Sequence, residues 1–185
     1  MPVTIGPNSI TFNNGSVQSV PSGFIKYNSC SATTTDQSIQ SGNWDFINGT
    51  ELNMGVPTKS SNWYRVSFYS CSDDWGGANG GVGMALWRWT PSTGWNRILD
   101  QGWHAHYDNN CGDFYTSTHG IWYVPVLNAS EQHAFRLYCR RHPDVAMRIN
   151  CSIGADLRRN GWNNNMFEIY EIDGDLINTG NLSRF

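Results

Sequence analysis

The chain has 185 residues, a formal net charge of −3, 15% charged and 14% aromatic side chains, and a mean hydropathy of −0.48. That length holds one well-buried core and is too short for two ordinary domains plus a linker. The charge balance leaves no electrostatic footprint for nucleic acid, and no apolar run approaches the roughly 20 residues of a membrane helix.

Residues 1–23 are expected to form an N-terminal arm. Short extended pieces at Val3–Ile5, Ser9–Phe12 and Ser16–Val20 are punctuated by Gly6-Pro7, Asn14-Gly15 and Pro21-Ser22-Gly23. Asn14-Gly15 is a hairpin-turn signal. So short a piece buries too little to fold alone; it needs a partner surface, either the body behind it or another subunit, with Ile10, Phe12 and Val17 as its attachment side chains. Met1–Gly6 lacks the charged and apolar regions of a signal peptide, so synthesis in a cytosol without ordinary secretion is expected.

Residues 24–173 form the body. Strands are expected at Phe24–Tyr27, Gln37–Ile39, Trp44–Ile47, Glu51–Met54, Trp63–Ser70, Val82–Trp89, Arg97–Gly102, Gly120–Val126, Ala134–Arg140, Met147–Ile153 and Met166–Ile172. Alternation is clean in several: Tyr64, Val66 and Phe68 oppose Arg65 and Ser67, and Phe135, Leu137 and Cys139 oppose Arg136, Tyr138 and Arg140. Met147, Ile149, Cys151 and Ile153 do the same against Arg148, Asn150 and Ser152. One-sided strands belong to antiparallel sheets with one buried face. With Gly-, Pro- and Asn-rich connections they point to an all-β sandwich or jelly roll. No helix is expected beyond a single turn within Arg158–Asn165. Two loops are expected, Ser72–Gly81 and Tyr107–Asp113, and residues 174–185 form a polar tail.

Five cysteines, at 30, 71, 111, 139 and 151, show no Cys-x-x-Cys spacing, which argues against a zinc ribbon or thioredoxin-type site. Cys139 and Cys151 read as small core residues, while Cys71 and Cys111, beside Gly/Asp loops, could bridge in an oxidising medium. Four Asn-x-Ser/Thr sequons, at Asn48, Asn128, Asn150 and Asn181, are expected by chance in so Asn-rich a chain.

No catalytic residues emerge. There is no Gly-x-Ser-x-Gly elbow, the glycine run at 76–81 has no following Lys-Ser/Thr, and the loop aspartates are ordinary turn residues as readily as paired carboxylates. His104 and His106 share one face of an extended segment. As a pair they are a weak metal site; on a three-fold axis they would bring six imidazoles to a transition metal, and the plainer reading is two histidines packed beside Trp103 and Tyr107. No other cofactor is expected. Aromatic residues crowd the middle third of the chain. In loops, Trp75, Trp95 and Trp103 with Asp74 and Asp108 would form a sugar-stacking surface; in a strand, Trp87 and Trp89 are expected to be buried.

Ile10-Thr11-Phe12-Asn13-Asn14-Gly15-Ser16-Val17-Gln18-Ser19 resembles an arm found in structural proteins of phages infecting cyanobacteria and other marine bacteria, where it precedes a fibre or adhesin-like module. Ile121–Pro125, Ala134–Arg140 and Phe167–Ile172 resemble the second half of a jelly roll of the tumour-necrosis-factor and complement type, as in phage fibre heads. The resemblance covers the arm and about the last fifty residues of the body, and it implies a homotrimeric virion protein. The expected role is a bacteriophage tail-fibre or receptor-binding module: the arm docks on other virion proteins, the loops meet a host surface glycan, and the protein sits in the virion after assembly in the host cytoplasm. A capsid decoration or head-fibre protein is the alternative, and a surface-polysaccharide hydrolase a third.

Overall fold

A computed structural model describes residues 4–6, 9–11, 17–19, 24–31, 37–39, 43–75, 79–107, 114–141, 146–149 and 166–176, with side chains at 26–28, 37–39, 43–70, 82–101, 118–141, 149 and 166–175. Thirteen strands follow in order: β1 (Thr4–Gly6), β2 (Ser9–Thr11), β3 (Val17–Ser19), β4 (Phe24–Ser31), β5 (Gln37–Ile39), β6 (Asp45–Gly55), β7 (Trp63–Trp75), β8 (Asn79–Thr90), β9 (Gly94–Tyr107), β10 (Phe114–Pro125), β11 (His133–Arg141), β12 (Ala146–Ile149) and β13 (Met166–Ile172). A short 3-10 turn, Gly174–Leu176, comes last among the described residues.

β7 organises the first large sheet. One of its edges pairs with β10 from Trp63 to Asp74; the other pairs with β13 over Trp63–Tyr69 and with β12 over Ser72–Trp75. β4 lies outside β13, and β5 outside β12. The second sheet runs β6-β11-β8-β9. All pairings are antiparallel. The order β4-β13-β7-β10 facing β6-β11-β8-β9, with the chain crossing between the sheets at most connections and staying within a sheet at β4–β5, β8–β9 and β12–β13, is the wiring of a jelly roll.

The core lies where alternation places it. β7 contributes Tyr64, Val66 and Phe68, β13 contributes Phe167 and Ile169, β8 contributes Val82, Met84 and Leu86, and β11 contributes Phe135, Leu137 and Cys139. Each large apolar side chain so buried stabilises the fold by roughly 1.5–3 kcal/mol. Burial pushes the Cys139 thiol well above its usual range, with Asp45 adding to the effect, so this thiol acts as a small core residue.

Three sequence expectations are corrected. Trp44–Ile47 and Glu51–Met54 are one strand. Gly49, at φ 85°, turns the backbone locally, and the Thr50 hydroxyl donates to the Ile47 carbonyl at 2.7 Å and accepts from the Leu137 amide at 3.2 Å where the ladder with β11 shifts register. Trp75 lies in β7 rather than a loop, because β10 and β12 supply ladder partners on both edges through Ser72-Asp73-Asp74 and override the weak strand preference of aspartate. Trp95 lies in β9, opposite Trp89. At the N-terminus, β2 pairs with β1 on one side and β3 on the other in a small three-stranded sheet, with Ile10 opposite Ile5 and Gln18, and Val17 opposite Thr11; the expected Asn14-Gly15 turn lies outside the described residues. Phe12 lies outside the described residues.

Candidate functional site

On the second sheet Leu86 of β8 and Leu137 of β11 point inward, so their neighbours point out. Trp87 sits opposite Arg136 and Arg97, Trp89 opposite Ala134 and Trp95, and Glu51 of β6 opposite Arg136. An aromatic layer with arginines between its rings results. Arg136 donates from Nε and Nη2 to one Glu51 carboxylate oxygen at 2.9 and 2.6 Å, and its guanidinium carbon lies 4.1 Å from the centre of Trp95 and 4.7 Å from that of Phe46. Trp87 stacks on Tyr138 at 4.6 Å. Arg140 lies over Trp44 at 4.5 Å and Arg97 over the same ring at 5.6 Å. Gly83 makes room: a Cβ there would meet Arg140 at 3.3 Å and Trp44 at 3.4 Å.

The rings are half-buried, and guanidinium–ring contacts of this kind hold both partners in place. Burial opposes the charge on Arg136, but hydrogen bonding to Glu51 and Tyr138 outweighs it and its pKa is raised. The surface therefore combines flat apolar faces with fixed donors. It suits ligands that present one apolar face and oxygen-rich edges.

Of the residues expected to bind sugar, only Trp95 has a described side chain, and it belongs to this layer. Asp74 stands opposite Phe114 and Met147, and Trp75 opposite Ala146. Trp103 falls in a bulge of β9, where Gly102 and Trp103 together face Gly83. Asp108 lies outside the described residues. His104 and His106 stand opposite Val82 and Gly80 on β9, with side chains outside those described. No group of three metal-ligating side chains occurs among the described residues. Sequence reasoning missed Trp44, Phe46, Arg136 and Tyr138 as one surface and expected Trp87 and Trp89 to be buried. The signal was present: with Val82, Met84 and Leu86 facing the core, the next odd positions of β8 must face outward.

A second cluster was not anticipated. Glu171 of β13 is completely buried. Its Oε1 accepts from the Thr58 amide at 2.7 Å, the Thr58 hydroxyl at 2.8 Å and Asn62 Nδ2 at 2.7 Å. Lys26 Nζ lies 3.6 Å from Oε2 and donates to the Val56 carbonyl. Nearby, burial raises the Tyr64 pKa, Glu171 adds to the rise and Arg88 opposes it. His133 holds the Asn128 carbonyl at 2.9 Å through Nε2; a carbonyl only accepts, so Nε2 carries the proton. Burial, then the Arg88 charge, lower the His133 pKa. This closed cluster, fed by both sheets, fastens the turn at 56–62 and reads as architecture.

The strand order defines an all-β jelly-roll protein. No protein-family model matches the chain, nor does any curated protein. Among solved structures, one described as the structure of infectious bursal disease virus Gt strain aligns over 96% of this chain and 38% of its own, at 7% identity and a TM-score of 0.43. The chain thus spans well under half of that neighbour's length. The jelly-roll assignment rests on strand order, not on this likeness.

Proposed function

We propose that the protein is a structural component of a bacteriophage virion whose jelly-roll body recognises a bacterial surface glycan, with the N-terminal arm docking on other virion proteins and no catalytic step. The observation that carries the glycan part is the outward layer of Trp44, Phe46, Trp87, Trp95 and Tyr138 with Arg97, Arg136 and Arg140 set among them. Rings stack on the apolar faces of pyranoses, and a guanidinium already fixed by Glu51 presents its remaining donors to hydroxyl or carboxylate oxygens. The fibre part is supported by the resemblance of the Ile10–Ser19 arm. Homotrimers on many fibres would multiply weak single-site affinities by avidity.

The test is binding of the purified chain to intact host cells and to their isolated surface polysaccharide. Trp95→Ala is expected to weaken binding at least tenfold with oligomeric mass and thermal midpoint close to wild type, and Trp87→Ala to weaken it in the same assay. Unchanged binding in both variants removes the glycan reading. Labelling of purified particles then separates a tail fibre from a capsid decoration: antibody at the tail tip supports the first, and uniform antibody on the head overturns it.

A further inference from the structure

The outer face of the first sheet is unlike an ordinary solvated surface. Tyr27, Tyr170, Arg65 and Tyr123 stand in one row across β4, β13, β7 and β10, with Glu168, Ser67 and Ile121 in the next row and Met166, Tyr69 and His119 beyond. Tyr27 is 53% exposed, Ile121 52%, Met166 42% and Tyr123 39%. Exposed aromatic and apolar side chains set around one pair of opposite charges, with Met and Arg and without Lys, have the composition of an interface centre. Among the side chains described on this face, Arg65 and Glu168 alone carry full charge. Arg65 lies over the Tyr170 ring at 5.8 Å, and Glu168 accepts from the Tyr27 hydroxyl at 3.0 Å and from the Ser67 hydroxyl at 3.4 Å.

The two residues are diagonal neighbours on adjacent strands, at backbone positions about 7–8 Å apart. A single two-fold axis lying in the plane of the face between them sets Arg65 of one copy against Glu168 of the other, twice over, while Tyr123 and Ile121 are covered. A surface that carries its own complement in this way fits an isologous contact. We propose that this face is the contact between two copies of the chain, paired face to face through reciprocal Arg65–Glu168 ion pairs. The proposal goes beyond the reading above and is independent of its glycan part. A three-fold contact elsewhere on the body is compatible with it and would give six chains.

Light scattering on the purified full chain, without glycan, is expected to give a mass of two or six chains. Arg65→Glu and Glu168→Arg should each weaken pairing at least tenfold and halve the mass at micromolar concentration, and the double reversal should restore it. Ile121→Asp, at an exposed position, is expected to halve the mass as well and serves if a charge reversal fails to fold. A wild-type mass of one or three chains overturns the proposal, as do reversals that leave the mass unchanged or a double reversal that fails to recover it. A single chain would assign the face to a different protein.

Discussion

At the scale of single residues, two positions are decided by space and by solvation. Gly174 packs against backbone: a Cβ there would lie 1.7 Å from the Ser61 carbonyl oxygen, which no rotamer change can relieve. Gly174→Ala should therefore lower stability by roughly 1–3 kcal/mol, the usual cost of forcing atoms into a filled space, read as a lower urea midpoint with an unchanged slope. Glu171 follows from solvation. A buried carboxylate persists because three donors converge on one oxygen and an ammonium stands near the other. Neither residue stands out in the sequence. Gly174 resembles a tail residue after the last strand, and Glu171, within Tyr170-Glu171-Ile172, looks like a polar side chain on an alternating strand. Its place follows from Phe167 and Ile169, whose spacing aims position 171 inward.

At the scale of elements, strand identity was largely legible and strand ends were not. Gln37–Ile39 and Met166–Ile172 have the expected bounds, whereas β7 and β8 extend past their alternating cores into Asp- and Gly-rich stretches, β9 runs on to Tyr107 and β10 begins at Phe114. Pairing explains the extension: an antiparallel partner satisfies backbone groups whatever the side chain, so a ladder runs on while its neighbour does. β13 shows what an element contributes, since it lies between β4 and β7 and fills the core with Phe167 and Ile169, both fully buried. Phe167→Asp places an unpaired charge in that core, and loss of soluble protein on expression is expected. A soluble variant with a wild-type thermal transition would mean that β13 is not central.

At the scale of the whole molecule, the two sheets are joined by more than apolar packing. Tyr64 and Glu171 come from one sheet and Arg88 and His133 from the other, with Tyr64 5.6 Å from the His133 ring and 4.9 Å from Phe135. Arg88 donates to the Pro125 carbonyl at 3.1 Å, tying the sheets at the same end. A pH dependence follows. The folded pKa of His133 lies below its ordinary 6.5, so the unfolded chain takes up the proton first. The stability this neutral histidine supports is complete above pH 6.5 and is lost as the pH falls from there through the folded value, by at most about 1.4 kcal/mol per pH unit for one proton. His133→Gln can still donate to the Asn128 carbonyl but does not titrate. Its urea-derived stability should therefore fall less steeply than wild type between pH 7 and 5, and parallel profiles would remove His133 as the cause.

By itself the sequence determined that this is an all-β protein with strands two-faced enough to make stacked sheets, because period-2 alternation in Tyr64–Phe68 and Phe135–Cys139 survives any arrangement of neighbours. Only the tertiary structure decided what the second face of each strand is for. Phe46, Trp87 and Tyr138 are far apart in sequence, and they become one surface because β11 lies between β6 and β8. Tyr27, Arg65 and Tyr123 become another because β13 and β7 lie between β4 and β10. Alternation says that a side chain leaves the core; strand order, set by which apolar faces can close over one another, says what it meets there.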